Sequence, residues 1–66
     1  MSISYLKVER LKKKITQSNL SKKLDISQCY LSQIENMNEV PGKDLTIALE
    51  DYFDKPIEHL LKKIDI

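Results

Sequence analysis

Gln28, Cys29, Ser32 and Gln33 are the side chains whose types and spacing promise chemistry. An α-helix turns once every 3.6 residues, so these four share one side of a helix, while Leu31 and Ile34 fall on the other and can face a core. Glutamine donates and accepts at once, and serine does both through one hydroxyl. Glutamine can pair in bidentate fashion with adenine, and the major groove, about 12 Å wide, admits one α-helix. A face that serves only solvation would more often carry Lys and Glu. Cys29 is the single cysteine, which excludes an intrachain disulfide. Its neighbourhood is not strongly basic, so a contact to a base or a methyl group is expected over a redox role.

Catalytic chemistry has little to work with. There is no Ser-His-Asp set, no phosphate-cradling Gly loop and no carboxylate dyad placed for a cleft. His59 is the single histidine, and a metal site needs ligand partners that the sequence does not offer. It is expected at the surface or an interface. A thin domain leaves little room for a pocket. The expectation is therefore a non-enzyme with no cofactor and no metal.

The chain has 66 residues. A chain of this size buries only about 60% of the surface its unfolded form exposes, so a partner subunit would add useful burial. No apolar run approaches the roughly 20 residues of a membrane span. The N-terminus lacks an apolar core of the secretory type. A soluble, cytoplasmic protein is expected, with no membrane partner. Net charge is only +1, but its distribution is uneven. Residues 1–34 hold seven cations against two acids, a net +5, and residues 35–66 hold four against eight, a net −4. A protein polarised in this way can turn one side to a polyanion.

The elements that must position the ridge read as helices throughout. Helix one is expected over Ser4 to Lys14, with Val8, Leu11 and Ile15 as its stripe and Leu6 beside them. Thr16 reads as an N-cap for helix two, Gln17 to Leu24, which buries Leu20 and Leu24. Asp25-Ile26-Ser27 is a tight corner with Ile26 tucked in, and Ser27 caps helix three, Gln28 to about Asn36. Asn36 to Gly42 is a loop rich in turn residues. Helix four runs from Lys43 to Phe53 on Leu45, Ala48, Leu49, Tyr52 and Phe53. Pro56 suits the first turn of helix five, which carries Ile57, Leu60, Leu61 and Ile64. Lys12-Lys13-Lys14 suits a helix C-terminus, where cations complement the dipole, and equally suits phosphate contact.

The segment Thr16 to Glu35 is two short capped helices joined by a three-residue corner, the plan of a helix-turn-helix. With Arg10, Ile15-Thr16-Gln17, Leu20, Leu24, Ile26-Ser27-Gln28, Leu31-Ser32, Ile34-Glu35, Pro41 and the run from Lys55 to Leu61, the chain resembles the phage-repressor and Cro family of helix-turn-helix regulators, the Xre family. The resemblance covers about Leu6 to Leu61. It implies an all-α, five-helix, lambda-repressor-like domain over residues 1–66, with the helix-turn-helix formed by helices two and three. It also implies roles. Gln28, Cys29, Ser32 and Gln33 take the base-reading positions. Gln17 holds a phosphate through its amide and its helix-terminal N–H. Asn19, Lys14, Tyr30, Asn36 and Asn38 take backbone-contact positions, and Tyr30 is placed to reach a phosphate or a thymine methyl. Arg10 and Glu35 match a structural ion pair that orients the reading helix.

The chain departs from the family pattern at four places. Asp25 and Met37 stand where Gly is usual. Asp tolerates the left-handed conformation, but Met does not, so the loop after helix three is expected to take another shape. Glu9 stands where an apolar residue is usual and Glu50 where a small one is. Relatives of this length pair through the last helix and tail, which here places Tyr52, Ile57, Leu61, Ile64 and Ile66 at a dimer interface within about residues 56–66 and nearby. Ile64 and Ile66 have little domain left to pack against. The expected function is a homodimeric regulator, a repressor, on a near-palindromic duplex DNA operator. The rival is a protein-interaction module of the same fold, of antitoxin or anti-repressor type. A protein effector fits either.

Overall fold

The computed structural model describes residues 2–65. Hydroxyl caps start the two central helices. Thr16 Oγ1 accepts the Asn19 backbone N–H at 3.1 Å and opens α2 (Gln17–Leu24), and Ser27 Oγ accepts the Tyr30 N–H at 3.1 Å and opens α3 (Gln28–Glu35). Each cap satisfies one of the orphan donors of a first turn. Before them lies α1 (Tyr5–Lys12), and after them α4 (Lys43–Phe53) and a single turn, α5 (Ile57–Leu60).

Left-handed residues end the first four helices: Lys14 (φ 56°), Asp25 (φ 57°), Met37 (φ 64°) and Asp54 (φ 55°). The expectation for Met37 is corrected. The Met37 N–H donates to the Ile34 carbonyl at 3.1 Å, and the Asn38 N–H to the Gln33 carbonyl at 2.8 Å. This pair of bonds is the Schellman closure of α3, and it holds a residue type that the left-handed region disfavours. The same pattern closes α2, with Ile26 N–H on the Ser21 carbonyl at 3.0 Å.

The core is Leu6, Leu20, Leu31, Ile34, Leu45, Leu49, Phe53 and Leu60. Ile15, Leu24, Ile26, Tyr30, Tyr52, Ile57 and Leu61 pack against it while partly exposed. Helix α1 is rotated from the expected stripe. Its buried residues are Leu6, Glu9 and Arg10, while Leu11 is 56% exposed. A polar face can turn inward here because partners from other helices meet it. The helix also ends at Lys12, two residues short of expectation, because Lys14 takes the left-handed turn.

Helices do not account for the whole fold. Strand β1 (Ser2–Ser4) pairs antiparallel with β2 (Lys63–Asp65), in the register Ser2 with Asp65, Ile3 with Ile64 and Ser4 with Lys63. The Tyr5 N–H extends the ladder to the Lys62 carbonyl at 2.8 Å. Helix five is correspondingly shorter than expected. Pro56 is its N-cap rather than its first residue, and Leu61 is its C-cap. Ile64 therefore lies in a strand and faces Ile3, so it has more to pack against than the sequence suggests. Among the described residues, no helix is long and apolar enough to cross a membrane.

Candidate nucleic-acid interface

Leu31 and Ile34 are fully buried, which fixes the rotation of α3 about its axis. Gln28, Cys29 and Gln33 are consequently exposed, and Ser32 is half-buried beside them. The four side chains form one ridge on the face of α3 opposite the core, with Gln28, Cys29 and Gln33 open to solvent and Ser32 partly covered.

A chain of hydrogen bonds runs into this ridge from the interior. Arg10 donates through Nε to Glu35 Oε2 at 2.7 Å and through Nη2 to Oε1 at 3.2 Å. Its Nη1 donates to the Ile15 carbonyl at 2.9 Å, in the linker before α2. The Arg10 and Glu35 side chains are only 8% and 1% exposed. A buried pair adds little net stability, because desolvation offsets much of the attraction. Its planar, two-point geometry instead fixes orientation, here of α1 against the end of α3. Gln17 Nε2 donates to the same Glu35 Oε1 at 3.2 Å, and Gln17 Oε1 accepts from Gln28 Nε2 at 3.4 Å. The Gln17 amide thus links the buried Arg10–Glu35 pair to Gln28. The N-terminal N–H groups of α2 still lack intrahelical partners, as in any helix. The link between Gln17 and Gln28 spans two helices, and no local pattern signals it.

The remaining expected contacts are spread around the ridge. Asn19, Lys14, Asn36 and Asn38 are exposed. Asn36 Nδ2 donates to Ser32 Oγ at 3.4 Å and so prolongs the ridge by one turn. Tyr30 is half-buried at the flank of the ridge. Its hydroxyl donates to the Val40 carbonyl at 3.2 Å and accepts the Gly42 N–H at 3.3 Å. That phenol braces the loop between α3 and α4, so its polar end is engaged within the chain. Lys12 and Lys13 are likewise drawn to aromatic faces. Lys12 Nζ lies 5.6 Å from the Tyr5 ring centre, and Lys13 Nζ lies 5.3 Å from that of Tyr52, within cation–π range.

The two unusual glutamates have structural partners. Glu50 Oε2 accepts the Ile57 N–H at 2.7 Å and caps the single turn of α5. Glu9 Oε2 lies 3.4 Å from His59 Nε2 and 3.6 Å from Lys12 Nζ. Burial pushes the Glu9 carboxyl pKa up, but the His59 hydrogen bond and the charges of Lys12 and Lys55 outweigh it and hold the group below its ordinary value. The His59 ring also lies tilted against that of Tyr5, with ring centres 4.4 Å apart.

Of the residues expected at a dimer interface, Tyr52, Ile57 and Leu61 are partly buried against the chain's own core. Ile64 is partly buried in β2, and Ile66 lies outside the described residues. The large apolar side chains left most exposed are others: Leu11, Met37, Val40 and Ile47.

A family model described as helix-turn-helix matches residues 6–60, from α1 through the last residue of α5. A search of curated proteins returns no match. The matched span holds both capped helices, the left-handed corner between them and the whole exposed ridge, so the chain belongs to the Xre/Cro-like helix-turn-helix family of DNA-binding regulators.

Proposed function

We propose that this protein is a sequence-specific transcriptional repressor that binds a near-palindromic operator as a homodimer. Helix α3 enters the major groove, and Gln28, Cys29, Ser32 and Gln33 meet base edges. The observation that carries this reading is the uncovered ridge, whose first glutamine is held by Gln17 and, through it, by the buried Arg10–Glu35 pair. A glutamine restrained before binding loses less side-chain entropy when it meets a base. The backbone N–H groups at the start of α2 and the side chains of Lys14, Asn19, Asn36 and Asn38 take phosphates, which set register without reading sequence.

A single module of this kind buries only about 600–1,000 Å² of protein surface on DNA, so joining two raises affinity. Two reading helices about 34 Å apart meet successive major grooves. Tyr52, Ile57, Leu61 and Ile64, with Ile66, are the proposed contact between subunits. Sedimentation at tens of micromolar tests the dimer, and a monomer there overturns that part.

Selection of duplexes from a random pool, followed by mobility-shift titration, tests the whole. The selected duplex binds with a steep salt slope, because phosphate contacts release counterions. Gln28→Ala and Gln33→Ala each reduce discrimination by about 1–3 kcal/mol per bidentate contact. Sequence preference that survives both substitutions would mean that another face reads the DNA.

A further inference from the structure

A groove of mixed polar and apolar lining opens between the terminal sheet and the end of the reading helix. Ser2, Asn36, Met37, Asn38 and Lys63 line it. Asn36 belongs to both the groove and the ridge, since its amide donates to Ser32 Oγ. The groove therefore continues the reading surface past the C-terminus of α3. Its lining brings together one hydroxyl, two carboxamides, one ammonium and the Met37 thioether, with the Asp65 carboxylate at its edge beside Ser2 and Lys63.

Lys63 is not a loose surface lysine at its backbone. It pairs with Ser4 in the sheet, and Ser4 is fully buried at the N-cap of α1. The ammonium is 3.7 Å from Asp65 Oδ1, and the Ser2 hydroxyl donates to the same oxygen at 2.8 Å. The Lys63 and Asp65 side chains are 61% and 80% exposed. Exposed pairs of this kind are weak and readily exchange partners.

We propose that this groove seats a backbone phosphate of the duplex, beside the bases that α3 reads. Lys63 is its charged ligand, and Asn36 and Asn38 are its neutral donors. The phosphate displaces Asp65 as the partner of Lys63. The terminal sheet thereby becomes part of the DNA-binding surface, a role that neither the helix-turn-helix unit nor the charge pattern assigns to it. This inference rests on the DNA-binding function proposed above.

The test is a salt titration of duplex binding by the full chain and four variants. Each phosphate neutralised contributes about 0.9 to the slope of log K against log salt. Lys63→Ala should lower the slope by about that amount, so its loss of affinity is about 3.5-fold greater at 50 mM salt than at 200 mM. Lys63→Arg should retain the slope. Lys62→Ala, one residue outside the groove, should also retain it. Asp65→Asn should tighten binding to all duplexes alike, because it frees Lys63. Discrimination between duplexes should be unchanged in every variant. An unaltered slope in Lys63→Ala, or equal losses from Lys62→Ala and Lys63→Ala, overturns the phosphate seat and leaves the function standing. Absence of salt-dependent duplex binding by the unsubstituted chain overturns both.

Discussion

Lys14 is the place where stability and DNA binding can be pulled in opposite directions by one substitution. It is exposed, and it holds φ at 56° to turn the chain from α1 toward α2. The left-handed region costs an L-residue about 1–2 kcal/mol, a cost that glycine escapes. Glycine in turn raises the entropy of the unfolded chain, which costs about 0.4–1 kcal/mol. The side chain has no hydrogen bond, ion pair or aromatic partner among the described residues, so its removal loses little else. Lys14→Gly should therefore stabilise the fold by about 0.5–1 kcal/mol. For a domain of 60–100 residues, 1 kcal/mol moves the melting temperature by about 4–8 °C, so a rise of several degrees is expected. Thermal melting followed by helical circular dichroism at low protein concentration measures it. Lys14→Ala is the control, because alanine keeps the left-handed strain and should not melt higher. Both variants should weaken duplex binding equally and at all sequences, since both lose the same proposed phosphate contact. A Lys14→Gly chain that melts no higher than the parent, or a Lys14→Ala chain that gains as much, refutes the attribution of strain to this corner.

Other substitutions probe the interior. Glu35→Ala leaves the buried Arg10 without its carboxylate and should destabilise by about 3–5 kcal/mol, enough to unfold much of so small a domain; urea denaturation reads it. Arg10→Met with Glu35→Leu should restore stability but not DNA discrimination, because Gln17 then loses its anchor. Ser4→Ala should raise stability by about 1 kcal/mol, since the Ser4 hydroxyl is buried with no hydrogen-bond partner among the described residues and caps nothing; calorimetry that shows a loss would reveal a hidden partner. The Glu9 carboxyl ionises more readily in the folded chain than its ordinary value of 4.5 allows, so the stability it contributes is fully present above that value and disappears as pH falls through the lowered folded one. The urea midpoints of the parent and Glu9→Gln should accordingly converge below pH 4.5, and a gap that persists unchanged to pH 3 counts against the assignment.

The parts of the fold that sequence made legible are those whose cause is local. Thr16 and Ser27 cap helices through a bond that spans three residues, and Asp25 turns the corner within its own neighbourhood. Helix α4 has the expected bounds because its stripe and its flanking Gly42 and Asp54 agree. Helix α1 was harder to read. Apolar Leu11 is outside and charged Arg10 is inside; the family resemblance names Glu35, 25 residues away, as the partner of Arg10, but the periodicity of the helix alone does not turn that face inward. Met37 defied its propensity because two carbonyls of α3 close over it. The ridge was legible, since Leu31 and Ile34 fix it by periodicity alone. The inward turn of the Gln17 amide and the tether on the Tyr30 hydroxyl were not, because each depends on a partner ten or more residues distant. The strands are illegible in the sequence for another reason. Three residues of alternation are too few to distinguish from a loop.

Those strands also bear on how the molecule is made. Ser2 and Asp65 are 63 positions apart, so the clasp joins the first described residue to the last. Closing a loop of that length costs about 3–4 kcal/mol in chain entropy, far more than the few bonds of the ladder return unless the helices have already drawn the ends together. The ladder thus depends on the helical body for its closure, and its amide protons are expected to exchange sooner than those of the core helices.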